Sequence, residues 1–312
     1  MKVNVIIPLY NEEGNIEALY KSLVNSLSDI KYTLTFVDDG STDDSYKLLK
    51  NIYNKNKNNV KVIRFSRNFG KEAAMFAGLK TTKSKYTCII DADLQQDPKY
   101  IVDMIKILDE NDEFDEVAMV NDYDLERPTQ KFMKKTFYKI MEKSTGQHVT
   151  PGASDFRLMR LSVVKALISI QESNRFSKGL FSWVGFNTYY MNYSANKRFS
   201  GVSKFNLNKQ LNYAKEGIIS FSTKPLKIAT ILGSLISCVS FIYFLIVLFQ
   251  TIIFGKDIPG YASLMCVILL LGGIQLVVLG IIGEYIANTY IEVKRRPLYI
   301  TKDKLGFDDD IL

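Results

Sequence analysis

The 312-residue chain has little of what many catalytic sites are built from. Its single histidine, His148, excludes a multi-histidine metal site and makes a histidine-based nucleophile triad hard to build. Three cysteines, Cys88, Cys238 and Cys266, stand far apart, so neither a disulfide framework nor a zinc site is indicated. No Gly-x-Gly-x-x-Gly follows the first strand-like run, and no Gly-Lys-Ser/Thr phosphate loop occurs. A dinucleotide oxidoreductase and a P-loop NTPase both lose ground. Met1 to Pro8 is a short strand-like run followed by polar residues, which is not the pattern of a signal peptide. Charge is missing from two long stretches. Ile228 to Phe254 and Tyr261 to Gly283 are uncharged over about 27 and about 23 residues, and roughly 20 suffice to cross a bilayer's hydrocarbon core.

Lysine and arginine outnumber aspartate and glutamate 40 to 33, for a net charge of +7. That balance favours an anionic partner such as a membrane surface, a nucleotide or a nucleic acid. No nucleic-acid motif accompanies it, so a nucleic-acid role is not expected. Mean hydropathy is −0.01, high for a soluble chain, because apolar residues gather near the C-terminus. The alternative to two membrane helices is a buried helical hairpin in a soluble core. Lys215, Lys224 and Lys227 precede the first uncharged span, and Lys294-Arg295-Arg296 follows the second. The turn between has one lysine, Lys256. By the positive-inside rule this predicts a multi-pass protein of the cell membrane with its N-terminal domain and tail both cytoplasmic.

Ahead of the apolar spans, strand-like runs alternate with helix-like ones. Val3 to Pro8, Leu34 to Val37, Val60 to Phe65 and Tyr86 to Ile90 read as strands. Ile16 to Leu27, Ser45 to Tyr53 and Glu72 to Leu79 read as the crossover helices between them. The alternation predicts an α/β, Rossmann-like domain with a mainly parallel sheet. Further on, Phe132 to Lys143 and Phe205 to Phe221 carry helical spacing with basic residues, suited to a membrane interface or to packing on the core. Thr150 to Arg157 reads as a loop leading to a helix from Leu161 to Ile170, and Arg198 to Lys204 as a basic loop.

Three strands run into acidic or glycine-containing loops: Asn11-Glu12-Glu13, Asp38-Asp39-Gly40 and Asp91-Ala92-Asp93. In open parallel sheets ligands bind beyond the carboxyl ends of the strands, where such groups can converge. Alone, Asp91-Ala92-Asp93 could be an acidic turn closed by Pro98. Alternatively, two hard oxygen ligands with open positions suit Mg²⁺ or Mn²⁺, whose other sites a diphosphate can fill.

Several motifs resemble family 2 inverting glycosyltransferases with a GT-A fold. They are Ile7-Pro8-Leu9-Tyr10-Asn11-Glu12-Glu13, Val37-Asp38-Asp39-Gly40-Ser41-Thr42-Asp43 and Asp91-Ala92-Asp93-Leu94-Gln95. Others narrow the likeness: Ser66-Arg67-Asn68-Phe69-Gly70-Lys71-Glu72-Ala73-Ala74, Asp155-Phe156-Arg157-Leu158-Met159, Asn174-Arg175-Phe176, Gly179 to Phe186, and Arg198 to Phe205. Together they are similar to the bacterial polyprenyl-phosphate glycosyltransferases, relatives of dolichyl-phosphate mannose synthase with two C-terminal membrane helices.

The resemblance implies inverting transfer from a nucleotide sugar, UDP-glucose or UDP-N-acetylglucosamine, to undecaprenyl phosphate at the membrane, by a homo-oligomer. It assigns Pro8, Tyr10, Glu12, Asp38, Asp39, Lys71 and Asp91 to the donor nucleotide, and Asp91, Asp93 and Gln95 to Mg²⁺ or Mn²⁺. Asp155, with Asp93, falls at the catalytic position. Arg175, Lys178, Arg198, Ser203 and Lys204 would meet the acceptor phosphate. A phosphate monoester is mostly ionised near neutrality, its second pKa being about 6, so Asp155 is expected to orient the acceptor or metal more than to remove a proton. The implied layout is a GT-A catalytic domain over 1–204, a juxtamembrane amphipathic segment over 205–226, a transmembrane hairpin over 227–291 and a tail over 292–312. One departure is the acidic run Asn121 to Glu126, where the family often carries a basic one; Arg127 and Lys131 would have to serve instead. Competing readings are a non-catalytic membrane scaffold and a polysaccharide synthase. The first would want damaged ligand positions, and the second a Gln-x-x-Arg-Trp run that is absent.

Overall fold

The computed structural model describes residues 2–121, 142, 150–193, 223–254 and 260–307. The chain divides into two compact units, Met1–Gly217 with Arg296–Leu312, and Ile218–Arg295.

The first unit begins with β1 (Val3–Leu9), α1 (Ile16–Ser26), β2 (Tyr32–Asp38), α2 (Ser45–Lys55), β3 (Val60–Phe65), α3 (Lys71–Lys80) and β4 (Tyr86–Ile89). Every residue of β1 is buried, as expected for a parallel strand covered by helices on both faces. Helix α1 buries Ile16, Leu19 and Leu23, one stripe at helical spacing, against that sheet. Strand β1 pairs in parallel with β2 on one side and β4 on the other. The sheet therefore grows from β1 through β2 to β3, then reverses to lay β4 on the opposite flank. That reversal is the switch point at which doubly wound sheets open a crevice for ligands.

Next come α4 (Lys99–Glu110), β5 (Glu116–Asn121), β6 (Ala153–Arg160), α5 (Leu161–Ser169), α6 (Ser177–Trp183) and β7 (Thr188–Tyr193). The sheet order is β7-β5-β6-β4-β1-β2-β3-β8. Strand β6 corrects the expected loop over Thr150 to Arg157: it lies antiparallel between β4 and β5. Its start is polar, Ala153-Ser154-Asp155, and follows Pro151-Gly152, which reads as a turn. The strand is settled further along, where Phe156, Arg157, Leu158 and Met159 are all buried between two neighbours.

Strand β8 (Thr301–Leu305) lies beyond the second apolar stretch and pairs antiparallel with β3, closing an edge that would otherwise be open. Ahead of it Tyr299 stacks on Phe65 with ring centroids 4.8 Å apart, and Ile300 accepts the Ser66 amide at 2.9 Å. The segment that follows the second apolar stretch is thus part of the sheet.

The second unit holds α7 (Lys224–Phe254) and α8 (Tyr261–Val293). Both contain segments long and apolar enough to cross a membrane, Lys224–Ile253 and Leu270–Val293. Their large side chains, Ile231, Phe241, Phe244, Leu276 and Val277 among them, are exposed rather than packed in a core. A buried soluble hairpin would show the opposite. The basic amphipathic segments over Phe132 to Lys143 (Glu142 apart) and Phe205 to Phe221 lie outside the described residues, as do Arg127, Lys131 and the loop Arg198 to Lys204 with Ser203.

Candidate active site

The loops after β1 and β2 are laced together by short polar side chains. Asn11, at a positive φ of 54°, donates its amide to Ser41 Oγ at 2.9 Å and accepts the Thr42 amide on Oδ1 at 2.9 Å. The Glu12 amide bonds Ser45 Oγ at 2.9 Å, and Glu12 Oε2 accepts Asn15 Nδ2 at 2.6 Å. Asp38, fully buried, accepts the Ser41 amide at 2.9 Å and lies 3.5 Å from Arg64 Nε. Asp39 reaches across to the next loop and accepts the Phe69 amide at 2.6 Å and the Gly70 amide at 2.9 Å. Gly40 sits at φ +70°, and a Cβ there would fall 2.4 Å from the Arg67 carbonyl carbon. The Asp38-Asp39-Gly40 run therefore clamps two neighbouring loops in a shape that a side chain at position 40 would break. Burial raises the pKa of both aspartates, and the amides they accept offset part of that rise.

Gly70, at φ +101°, turns the chain into α3 and launches Lys71 from its first turn. The Lys71 ammonium sits 2.6 Å from Asp91 Oδ1 and 2.8 Å from Asp155 Oδ2. Asp91 follows β4 and Asp155 lies in β6, so two strands deliver carboxylates to one cation beside the switch point. Burial alone would lower the Lys71 pKa, but attraction to Asp155 and Asp91 more than reverses it. Burial would raise the Asp155 carboxyl, yet Lys71, and then Lys178 from α6, hold it well below the usual carboxylate range.

The Asp91 loop is itself braced. Gln96 Oε1 accepts the Asp91 amide at 2.9 Å, and Gln96 Nε2 lies 3.4 Å from Asp91 Oδ2. The Gln95 amide donates to Asp93 Oδ1 at 3.2 Å, and Leu94 between them takes a φ of 59°. A leucine in the left-handed region is costly, and strain of this kind gathers at functional turns. Tyr193, at the end of β7, lies near Ser154 and Gln96. Gln96 and Tyr193 are site residues that sequence reasoning missed. The doubled Gln95-Gln96 was the only available signal, and only its first member was assigned.

The described residues offer no cluster of three or more histidine, cysteine, aspartate or glutamate side chains, so no closed protein cage for a metal is formed among them. The donor set still fits a hard divalent ion. Asp91 and Asp155 already share a cation, the Lys71 ammonium, and Mg²⁺ commonly uses one or two carboxylates plus substrate phosphates.

Behind Asp155, Arg157 and Glu116 form a buried ion pair, Nη1 lying 3.1 Å and 3.3 Å from the two carboxylate oxygens. The same guanidinium lies over the Phe181 ring at 3.5 Å, and Thr188 Oγ1 donates to Glu116 at 2.7 Å. This pair ties β5, β6, β7 and α6 together and fixes the strand that carries Asp155. Of the expected acceptor-phosphate residues, Lys178 is near enough to bias Asp155. Arg175 is buried over the Phe76 ring at 4.3 Å, and its guanidinium donates to the Ile170 and Leu167 carbonyls. Those contacts engage two of its donor nitrogens in closing the end of α5.

Carboxylates gathered at the switch point of a doubly wound sheet mark a ligand site of an α/β protein. Residues 4–168 match the Glycosyl transferase family 2 model, and residues 224–289 match the GtrB C-terminal hairpin. The chain belongs to glycosyl transferase family 2 and is a glycosyltransferase. It is 42% identical to an uncharacterized glycosyltransferase of Synechocystis, covering 99% of this chain and 97% of that one. It is 37% identical to the SfII prophage-derived bactoprenol glucosyl transferase of Shigella flexneri, covering 97% and 98%. Among solved structures, glucosyl-3-phosphoglycerate synthase from Mycobacterium tuberculosis, in complex with Mn²⁺, UDP and phosphoglyceric acid, shares the fold. That likeness has a TM-score of 0.51 at 16% identity, covering 70% of this chain and 76% of that one.

Proposed function

We propose that the protein transfers glucose or N-acetylglucosamine from a UDP donor to undecaprenyl phosphate, inverting the anomeric centre and making a polyprenyl-monophosphate sugar for the cell envelope. The observation that carries this is the meeting of Asp91 and Asp155 on Lys71, in a chain that also holds two apolar helices of membrane-crossing length. The bactoprenol glucosyl transferases it resembles favour glucose and a polyprenyl acceptor.

In the reaction an ionised oxygen of the lipid phosphate bonds to the anomeric carbon. The bond from that carbon to the donor diphosphate breaks, and UDP leaves with the electron pair. The acceptor oxygen is already deprotonated above about pH 6, so Asp155 orients rather than abstracts. Lys71 faces the place where leaving-group charge develops, where a fixed cation lowers the barrier most. A divalent ion, Mg²⁺ or Mn²⁺, held by Asp91 and Asp93 with Gln95 alongside, would supply Lewis-acid neutralisation of the diphosphate. Asp38, Asp39, Glu12, Tyr10 and Pro8 shape the nucleoside pocket, while Lys178 with Arg198, Ser203 and Lys204 receives the lipid phosphate.

The two helices form a membrane hairpin whose ends both face the cytoplasm, with the protein working as a homo-oligomer. Support for that topology comes from the basic residues flanking the hairpin and from β8, which pairs with β3 after the second helix. Both ends of the hairpin thus lead into one folded unit.

Membranes containing the protein, incubated with labelled nucleotide sugars, undecaprenyl phosphate and Mg²⁺ or Mn²⁺, are expected to yield a labelled lipid-extractable product. The product should vanish on chelation and in Asp91→Ala. No transfer from any donor, with Asp91→Ala indistinguishable from wild type, would end this reading. Near-wild-type activity with a flat pH profile in Asp155→Asn would remove any essential role for that residue.

A further inference from the structure

Four consecutive residues at the start of α3 touch different parts of the site. The Phe69 and Gly70 amides hold Asp39, and Lys71 holds Asp91 and Asp155. Glu72 Oε2 accepts the Ser177 amide at 3.1 Å and also the Ser177 hydroxyl. Adjacent side chains on a helix diverge by about 100°, so Lys71 and Glu72 reach two different walls from a single turn. Ser177 opens α6, and Lys178 follows it, a cation close enough for its charge to act on Asp155. Arg175, just upstream, lies over Phe76 of the same helix α3. No other charged side chain on α3 reaches both α6 and the neighbourhood of Asp155 among the described contacts.

We propose that Glu72 is a positioning residue for acceptor binding, holding the start of α6 so that Lys178 stays opposite the Asp155 that Lys71 anchors. This rests on the glycosyl-transfer reading above and deepens its acceptor half. The charged groups around Glu72 are Asp155 from β6, Lys71 from its own helix and Arg175 from the segment before α6, which also senses Glu172. Desolvation, and then the Asp155 charge, raise the Glu72 pKa to about 7. The carboxylate form is the better acceptor for the Ser177 donors, so the acceptor wall tightens as pH rises through neutrality.

The test uses the full chain in detergent micelles, with undecaprenyl phosphate as acceptor and the best UDP-sugar as donor. Glu72→Ala should raise KM for undecaprenyl phosphate about tenfold, the usual effect of losing a charge-assisted hydrogen bond, and leave the donor KM within about twofold. Glu72→Gln, which keeps an acceptor but cannot titrate, should move the acidic limb of kcat/KM for the acceptor from near 7 to the phosphate's own value of about 6. Amide hydrogen exchange at Ser177 and Lys178 should accelerate in Glu72→Ala, a readout that needs no turnover. Unchanged exchange there overturns the inference even if the protein transfers no sugar at all. Equal rises in both KM values, or an acidic limb that stays put in Glu72→Gln, overturn it where transfer occurs. Ser177→Ala, losing only the hydroxyl, guards against misfolding and should shift the acceptor KM in the same direction by a smaller factor.

Discussion

Strand β4 has a lysine–aspartate cluster at each end, and the two are built in opposite proportions. Before it, Asp109 receives Lys2 and Lys85 at 2.8 Å each, with the Tyr86 hydroxyl at 2.8 Å. After it, Lys71 alone receives Asp91 and Asp155. Two lysines on one aspartate leave an excess of positive charge. One lysine bridging two aspartates leaves negative charge that Lys178 of α6 partly offsets at Asp155. The carboxylates Asp109 and Asp91 are similarly open, 31% and 29%, and around Asp109 water disperses the surplus. In the second cluster, Asp155 retains only 15% exposure, and the surplus stands in a sheltered crevice. The same residue types thus give a surface clasp at the amino end of the strand and a bridged carboxylate pair at the carboxyl end. This matches the division of labour in parallel sheets, where chemistry sits beyond the carboxyl ends.

The comparison breaks most severely at Asp91. Asp91→Ala is expected to cost about 10²- to 10³-fold in kcat, the usual effect of losing one preorganised electrostatic group. Thermal unfolding should stay within a few degrees of wild type, because the residue is partly exposed and Gln96 survives. Coincident loss of activity and fold would make the cluster structural, like its counterpart.

Removing the cation tests the charge surplus directly. In Lys71→Ala the two carboxylates lose their counter-charge, and like charges at one point push one of the pair up in pKa. Activity should drop about tenfold or more by the loss of a charge-assisted contact. Mn²⁺ should now raise the melting temperature more than in wild type, since the ion no longer competes with an ammonium. A smaller rise than in wild type would mean that the surplus does not attract a cation.

pH separates the two acids beside Lys71 by sign. Asp155 is depressed, so its contribution to stability is present above its unfolded pKa and lost as pH falls through its folded one. Glu72 is raised from 4.5 to about 7, so the fold gains stability as pH falls from 7 towards 4.5. Relative to Glu72→Gln, wild type should gain about 1 kcal/mol between pH 8 and pH 5, after discounting for partial exposure. That is about 2–4 °C in melting temperature. A constant difference across this range would place the Glu72 pKa elsewhere.

The smallest effect belongs to the other end of β4. Asp109→Asn should cost about 0.5–1 kcal/mol, as exposed ion pairs do, and leave transfer activity unchanged. Its carboxyl is held below the usual range by Lys2, Lys85 and Tyr86 against the opposing pull of desolvation. A measurable loss of kcat would undo the contrast between the ends.

Much of this was legible in the chain. Strands β1 to β4 start or end within two residues of where their apolar runs place them, because each is buried on both faces and its composition shows it. The α7 and α8 spans are legible for the same reason, since length without charge is a one-dimensional property. Strand β6 was not, because its half-buried polar start, Ala153-Ser154-Asp155, resembles a turn and only its far half is fully buried. Strand β8 was hidden for another reason: Thr301-Lys302-Asp303-Lys304-Leu305 has a partly exposed pattern suited to an edge, and its partner β3 lies more than two hundred positions away. Nor does the sequence show that the Arg175 guanidinium, expected at the acceptor phosphate, donates to carbonyls at the end of α5.

By itself the sequence determined strands β1 to β4 with the helices between them, which segments are apolar enough for a bilayer, and that Asp38, Asp39, Asp91 and Asp93 follow strands. Local periodicity and burial of the chain's own neighbours are enough for that. Tertiary structure alone decided that Asp91 and Asp155, from β4 and β6, share Lys71 while Asp109 takes two lysines at the other end of β4. It also decided that Glu72 links α3 to α6. Ionic stoichiometry depends on which strands become neighbours, and strand order is set by packing across the whole sheet rather than by any short stretch.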